Sequence, residues 1–284
     1  IATPSANYHF VSWSDGNTES TRTITVSSAV NLVASFAIDT YNVSVTSGTG
    51  GSVNSVNGSY NYGTELQLIA TPAAHYHFVS WNDGNTESIR TITVSSAVNL
   101  VASFAIDTYT VSISAGSGGT VNTAINGTYD YGESVELIAT PSANYHFVSW
   151  SDGNTESTRT ITVSSAVSLT ASFAIDTYTV SISAGSGGTV NTVINGTYDY
   201  GSSVELIATP SANYHFVSWS DGNTESTRTI TVTSAVNLVA SFAIDTYSVS
   251  VTASTGGSVN SVNGTYNYGT ELQLIATPAA HYHF

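Results

Sequence analysis

The sequence predicts an all-β chain, a tandem array of small β-sandwich or β-grasp-like modules set end to end as an elongated rod. Three observations lead there. Tryptophan recurs at Trp13, Trp81, Trp150 and Trp219, spacings of 68, 69 and 69. The string Ile-Ala-Thr-Pro recurs at Ile1, Ile69, Ile138, Ile207 and Ile275. Within each period, apolar residues alternate every second position instead of following the helical repeat of about 3.6.

These landmarks divide the 284 residues into 1–40, the C-terminal part of a repeat; 41–108, 109–177 and 178–246, three whole repeats of 68 or 69 residues; and 247–284, the N-terminal part of another. Residues 1–78 match residues 207–284 with five differences at an offset of 206, so three repeats form a higher-order repeat. Such near-identity points to recent duplication, and the chain is expected to be a window on one covalently continuous polypeptide. Head-to-tail strand complementation between chains is the alternative. It is disfavoured because the strand from Ile-Ala-Thr-Pro to Tyr-His-Phe occurs at both ends, and two copies would compete for one place.

Taking residues 109–177 in order, Tyr109, Val111 and Ile113 share one face of the first strand. Val135, Leu137 and Ala139 share a face of a later one. Tyr145 and Phe147 lie two apart, but Trp150 is three beyond Phe147, which places a bulge near Ser149 or turns the indole to the opposite side. Ile161 with Val163, and Leu169, Ala171 and Phe173, complete the set. Turn signals separate these runs: Gly116, Gly118 and Gly119, Asn126-Gly127, Gly132, Pro141 and Asp152-Gly153. About six short strands per repeat are expected. Asp152-Gly153 is read as a tight hairpin turn with positive φ angles. The one-residue length difference between repeats sits just before Asn-Gly, where a loop tolerates insertion.

Composition bounds the function. The chain carries 19 acidic residues against four arginines and no lysine, a net charge of −15. That balance opposes nucleic acid and anionic membrane surfaces, since no basic patch exists to meet them. No apolar run approaches the roughly 18 residues of a membrane-spanning helix. Without cysteine or lysine, neither disulfides nor lysine–asparagine isopeptide bonds can reinforce the array, so its stiffness must come from packing. A domain near 70 residues is marginal alone, and the joins, as in Ser-Phe-Ala-Ile-Asp-Thr-Tyr, contain no Pro, Gly or polar spacer. Coupled neighbours are therefore expected.

The ordered pattern of Tyr-Thr-Val-Ser-Ile, a Gly-Gly turn, Gly-Thr-Tyr-Asp-Tyr-Gly-Glu-Ser-Val-Glu-Leu-Ile-Ala-Thr-Pro, Tyr-x-Phe-x-x-Trp-Ser-Asp-Gly, Thr-Arg-Thr-Ile-Thr-Val and Ser-Leu-Thr-Ala-Ser-Phe resembles the divergent internalin B-type B-repeat, or Listeria–Bacteroides repeat, family. The resemblance recurs once per repeat along the whole chain. It implies extracellular, surface-attached or secreted bacterial proteins in which such modules are spacers, stalks or adhesive elements. The family usually has Gly before the Tyr of Tyr-x-Phe; here Asn7, His75, Asn144, Asn213 or His281 stands there. Asn tolerates a left-handed conformation, and the histidines depart further from the pattern.

Candidate sites are few. Each repeat offers residues such as His146, Asp152, Glu156 and Arg159, types found in acid–base catalysis. With no phosphate loop and no nucleophile elbow, a set copied into every repeat reads as part of the module, and no enzyme is expected. Asp15, Asn17 and Glu19, and Asp83, Asn85 and Glu87, alternate through the Asp-Gly turn as calcium candidates, but neither an Asp-x-Asp pair nor a calcium loop is present. His75 and His77 alternate as a zinc candidate, with both imidazoles expected on one side of a strand. The reading adopted is no metal and no cofactor. Asn57, Asn126, Asn195 and Asn263 open Asn-Gly-Ser/Thr sequons, and Asn42 opens Asn-Val-Ser; Asn-Gly is also the preferred pair of a tight turn, and the turn reading is favoured. Trp13, Trp81, Trp150 and Trp219 are assigned structural roles. The partners expected are neighbouring repeats and, in a fibre, other copies of the chain. The overall expectation is a stalk or fibre segment at the cell surface, against the alternative of an adhesin that stacks glycans on tyrosines such as Tyr60 and Tyr62.

Overall fold

The computed structural model describes residues 1–284, and apart from two single 3₁₀ turns all its regular structure is strand. The chain forms two compact bodies. One comprises Ile1–Ile113, Asn122–Ile138 and Thr158–Leu169, and the other Ser114–Val121, Ala139–Ser157 and Thr170–Phe284. Each contains one complete repeat.

In the first body, strands β1 (Tyr8–Trp13) and β2 (Ala34–Ile38) pair antiparallel. The complete repeat follows as β3 (Thr40–Ser47), β4 (Gly51–Val53), β5 (Gly58–Asn61), β6 (Glu65–Pro72), β7 (Tyr76–Trp81), β8 (Ile89–Thr93) and β9 (Val98–Ile106). Odd-numbered strands form one sheet in the order β5-β3-β9-β7, and even-numbered strands form the other, β4-β6-β8. Every connection therefore crosses from one layer to the other, and neither sheet closes into a barrel. The first and last strands, β3 and β9, lie side by side in parallel, with Val43 opposite Val98 and Val45 opposite Leu100. Parallel neighbours require a long crossover, here the whole of the repeat between them.

Alternation along the strands supplies the core. Val43, Val45, Leu68, Ala70, Trp81, Val94, Leu100 and Ala102 are buried together, with Tyr41, Tyr60, Phe78 and Phe104 packed against them. On β7 the register slips between Phe78 and Ser80, leaving Val79 out of the ladder. The bulge is one of the two arrangements the Tyr-x-Phe-x-x-Trp spacing allows. It turns Trp81 to the side of Phe78, with ring centroids 5.8 Å apart, and Phe78 meets Phe104 edge-on at 5.8 Å.

The second body holds the same arrangement between Thr177 and Ile244. Strand Thr177–Ala184 runs parallel to Val236–Ile244, and Trp219 is buried among Val180, Ile182, Leu206, Val232 and Leu238. In residues 109–177 the antiparallel pairs recur, Ser134–Pro141 with Thr158–Thr162 and Tyr145–Trp150 with Val167–Ile175. Pro141, read as a turn residue, instead ends a strand opposite Gly119.

The Asp-Gly turn corrects the sequence reading. Only its glycine has positive φ, at 85° for Gly84. Gly84 N–H donates to the Trp81 carbonyl at 2.9 Å, and Trp81 N–H to the Asn85 carbonyl at 2.8 Å. This is the closure of a three-residue loop with a bulge at Gly, not a two-residue primed turn. The strands it joins are not partners either: β7 pairs with β9 and β8 with β6.

Candidate functional site

Two polar constellations recur in the repeats. The first is the Asp-Gly turn. Asp83 Oδ1 accepts the Asn85 N–H at 3.2 Å, and Asn85 Oδ1 accepts the Glu87 N–H at 2.9 Å. The Trp81 indole N–H donates to the Glu87 carbonyl at 2.9 Å. Arg90 grips the Asp83 carboxylate with both Nη atoms, at 2.9 and 2.7 Å, while its guanidinium carbon lies 5.9 Å from the centre of the Trp81 ring. The alternating polar residues thus build successive Asx turns that wrap a buried indole, and the local cation is an arginine. Asp15, Asn17 and Glu19 repeat the pattern with Arg22, and Asp221 pairs with Arg228.

A carboxylate whose charge and lone pairs are already engaged by a guanidinium offers less to a second cation. Chelation of divalent ions is accordingly expected to leave the melting temperature unchanged. A drop of more than a few degrees in a chelator titration would put a metal at Asp83, Asn85 and Glu87.

The same grip has a pH consequence. The Arg90 hydrogen bonds, joined by that from Asn85 N–H, hold the Asp83 carboxyl below its ordinary value of 3.8; Asp15 and Asp221 are lowered in the same way by Arg22 and Arg228. A lowered folded-state pKa stabilises the native chain above 3.8, and that contribution is lost as pH falls through the folded value. These carboxylates are about 40% exposed, so screening keeps the effect modest. The expected result is a shallow loss of stability below the ordinary carboxylate range, which Arg90→Gln flattens in melts across acidic pH.

The second constellation is the joint between repeats. Asp107 is the single residue between β9 and the next strand, Thr108–Ala115, and all its polar groups are engaged. Its N–H donates to the His75 carbonyl and its own carbonyl accepts from Tyr131 of the following repeat, both at 2.8 Å; its carboxylate meets His77 Nδ1 at 3.0 Å. Asp39, Asp176 and Asp245 repeat this, receiving His9, His146 and His215 on the carboxylate and Tyr62, Tyr200 and Tyr268 on the carbonyl. The residue before each Tyr-x-Phe is left-handed: Asn7, Asn144 and Asn213 at φ 63–64° and His75 at 65°. Histidine therefore keeps the same geometry. The His75 ring also stacks on Tyr131, with centroids 3.5 Å apart and planes 8° from parallel.

This placement gives the two candidate zinc ligands separate partners. His75 precedes β7 and its left-handed backbone breaks the alternation, so its ring goes to Tyr131 while the His77 ring goes to Asp107. No three His, Asp or Glu side chains converge as a metal site. The catalytic set is dispersed likewise. His146 meets Asp176 at the joint, whereas Asp152 accepts the Asn154 N–H and the Glu156 carbonyl accepts the Trp150 indole, at the far end of the same strand. No local motif marks the joint aspartates. Their signal was the recurrence of Ala-Ile-Asp-Thr-Tyr, with each Asp 30 residues beyond its His.

The sequons need a further correction. Asn126 is extended, at φ −66° and ψ 122°, and the glycine after it has no positive φ, so the pair is not a tight turn. Its amide instead pairs with the backbone of Ile113: Oδ1 accepts the N–H at 2.7 Å and Nδ2 donates to the carbonyl at 3.1 Å. Asn195 does the same to Ile182, while Asn57 and Asn263 accept the N–H of Val45 and Val251. The tryptophans Trp81, Trp150 and Trp219 are each 1% exposed, and Trp13 is half-buried.

Among solved structures, the chain is similar to the Bacillus anthracis TIE protein at 9% identity and a TM-score of 0.36; the match covers 75% of this chain and spans 55% of the length of that one. No curated protein matches. No helix is long and apolar enough to cross a membrane. The divergent InlB B-repeat domain matches five times, over residues 1–40, 41–108, 109–177, 178–246 and 247–284. With every residue inside one of these matches, the chain belongs to the divergent InlB B-repeat domain family, whose repeats are typical of surface proteins.

Proposed function

We propose that this chain is a non-enzymatic spacer, a stalk or fibre segment of a bacterial protein held outside the cell at its surface or secreted from it. The observation that carries the reading is the joint. One aspartate links successive repeats, fixed through its N–H, carbonyl and carboxylate. A repeat held to its neighbour by a backbone hydrogen bond one residue from the covalent link transmits orientation, which suits a spacer and has no use in an independent binding module. The acidic, lysine-free composition supports it, because like-charged chains stay apart.

The adhesin reading rests on tyrosines, and their surroundings weaken it. Tyr60 packs against the core, and Tyr62 is half-buried at a joint, its N–H on the Asp39 carbonyl. Glycan arrays and host-surface binding separate the two. The spacer reading expects no saturable binding by the 284-residue chain, and a loss of reach without loss of fold when a full-length parent protein lacks residues 109–177. Saturable binding abolished by Tyr62→Ala would replace it with the adhesin.

A further inference from the structure

We propose that the four Asn-Gly steps are sites of spontaneous deamidation, and that the loop before each sets its rate, so that Asn126 and Asn195 are protected relative to Asn57 and Asn263. In this reaction the glycine backbone nitrogen attacks the Asn Cγ. The N–Cγ bond forms, the Cγ–Nδ2 bond breaks, and ammonia leaves with the glycine N–H proton. Solvent water then opens the cyclic imide at either carbonyl, giving aspartate or isoaspartate with no change of oxidation state. Glycine favours the attack because it has no Cβ to obstruct it, and all four asparagines are exposed to the water that completes it.

The loops differ by one residue, and the difference falls on the atoms that react. The longer loops form a 3₁₀ turn, Thr123–Ile125 or Thr192–Ile194, closed by the N–H of Asn126 or Asn195 on the Thr123 or Thr192 carbonyl at 3.0 Å. In these the leaving group is itself held: Nδ2 donates to the Ile113 carbonyl at 3.1 Å and to the Ile182 carbonyl at 3.0 Å. The extended ψ of 122° and 120° turns the glycine nitrogen away from Cγ. Closing the imide there means rotating the Cα–C bond and breaking these contacts. Asn57 and Asn263 are held through Oδ1 alone, on Val45 N–H at 2.6 Å and Val251 N–H at 2.5 Å.

The product follows the same division. An aspartate at 57 still offers Val45 N–H an acceptor, whereas an aspartate at 126 sets a carboxylate oxygen against the Ile113 carbonyl. The loop type that reacts more slowly is the one that tolerates its product less.

The four arginines give a direct readout. Trypsin places Asn57, Asn126, Asn195 and Asn263 on separate peptides, 23–90, 91–159, 160–228 and 229–284. The folded chain is aged at mildly alkaline pH, then unfolded and digested, and deamidation at each Asn-Gly is located by fragmentation. Each value is divided by that of the same site aged in denaturant. One or two extra neutral hydrogen bonds should make the ratio for Asn126 and Asn195 about tenfold lower than for Asn57, with Asn263 following Asn57. Equal ratios at the four sites, or faster reaction at Asn126, overturn the proposal. Asn126→Asp should also lower the melting temperature more than Asn57→Asp, and an equal fall in the two variants overturns the amide pairing as its cause.

Discussion

Trp81→Ala is expected to unfold the repeat spanning residues 41–108 while the chain elsewhere stays folded. The indole is 1% exposed, packed among Val43, Val45, Leu68, Val94 and Leu100, and its N–H is satisfied by the Glu87 carbonyl at 2.9 Å. Truncation opens a cavity between two sheets whose strands alternate layer by layer, so neither sheet can close on the gap without shifting every connection. A buried tryptophan lost to alanine costs about 3–5 kcal/mol. That is comparable to the whole stability of a domain this small. The guanidinium of Arg90 loses the ring face beneath it at the same time. In calorimetry the variant should show an early transition of about one repeat's enthalpy, with a smaller downward shift for the repeat that shares the Asp107 joint. Trp13→Ala should cost less, because Trp13 is only half-buried. A single unshifted transition in Trp81→Ala would mean that the indole is dispensable to the core.

What the sequence made legible is what lies within one strand. The alternation of Val111 with Ile113 and of Val135, Leu137 and Ala139 marks the buried face correctly, and the odd spacing of Phe147 and Trp150 marks the bulge. Both are consequences of the two-residue period of the strand. The order of strands was not legible. A turn of Gly, Asp and Asn looks the same whether the chain returns beside the strand it left or crosses to the opposite sheet, and within the complete repeat it crosses at every connection. The parallel pairing of β3 with β9 joins residues more than fifty positions apart, Val43 with Val98, and nothing local announces it.

The polar sites follow the same rule. The Asp83 turn is visible as a run of alternating acids and amides, but that Arg90 meets its carboxylate depends on where β8 begins. The Asn126-Gly127 dipeptide suggests a turn, whereas the Asn126 amide works across a distance of 13 residues on Ile113. His77 and Asp107 are 30 residues apart and meet only because β7 and β9 are neighbours. Repetition partly compensates: a pair recurring at constant separation in every repeat is a contact candidate even when no pairing is known.

Gly187→Ala should be more damaging than alanine at Gly188 or Gly222, because two penalties that those glycines carry singly fall on it together. Gly187 has φ +92°, and a Cβ there would lie 2.3 Å from a Tyr214 ring carbon. Gly188, without positive φ, would place its Cβ 2.4 Å from the Phe242 ring. Gly222 has φ +87° with nothing within 4 Å of its Cβ. The three positions therefore separate backbone strain from overpacking. Gly222→Ala should cost about 1–2 kcal/mol for the left-handed conformation alone, and Gly188→Ala about 1–3 kcal/mol for displacing a ring in a filled core. Gly187→Ala should approach their sum, roughly 2–5 kcal/mol. The Phe242 ring has little room to yield: it stands edge-on to Phe216 at 5.8 Å, and Phe216 is 5.8 Å from the buried Trp219. Denaturant unfolding followed by fluorescence measures all three. If Gly187→Ala proves no worse than Gly222→Ala, Tyr214 moves aside without cost, and Gly187 is needed for its backbone angle alone and not for the close approach of the Tyr214 ring.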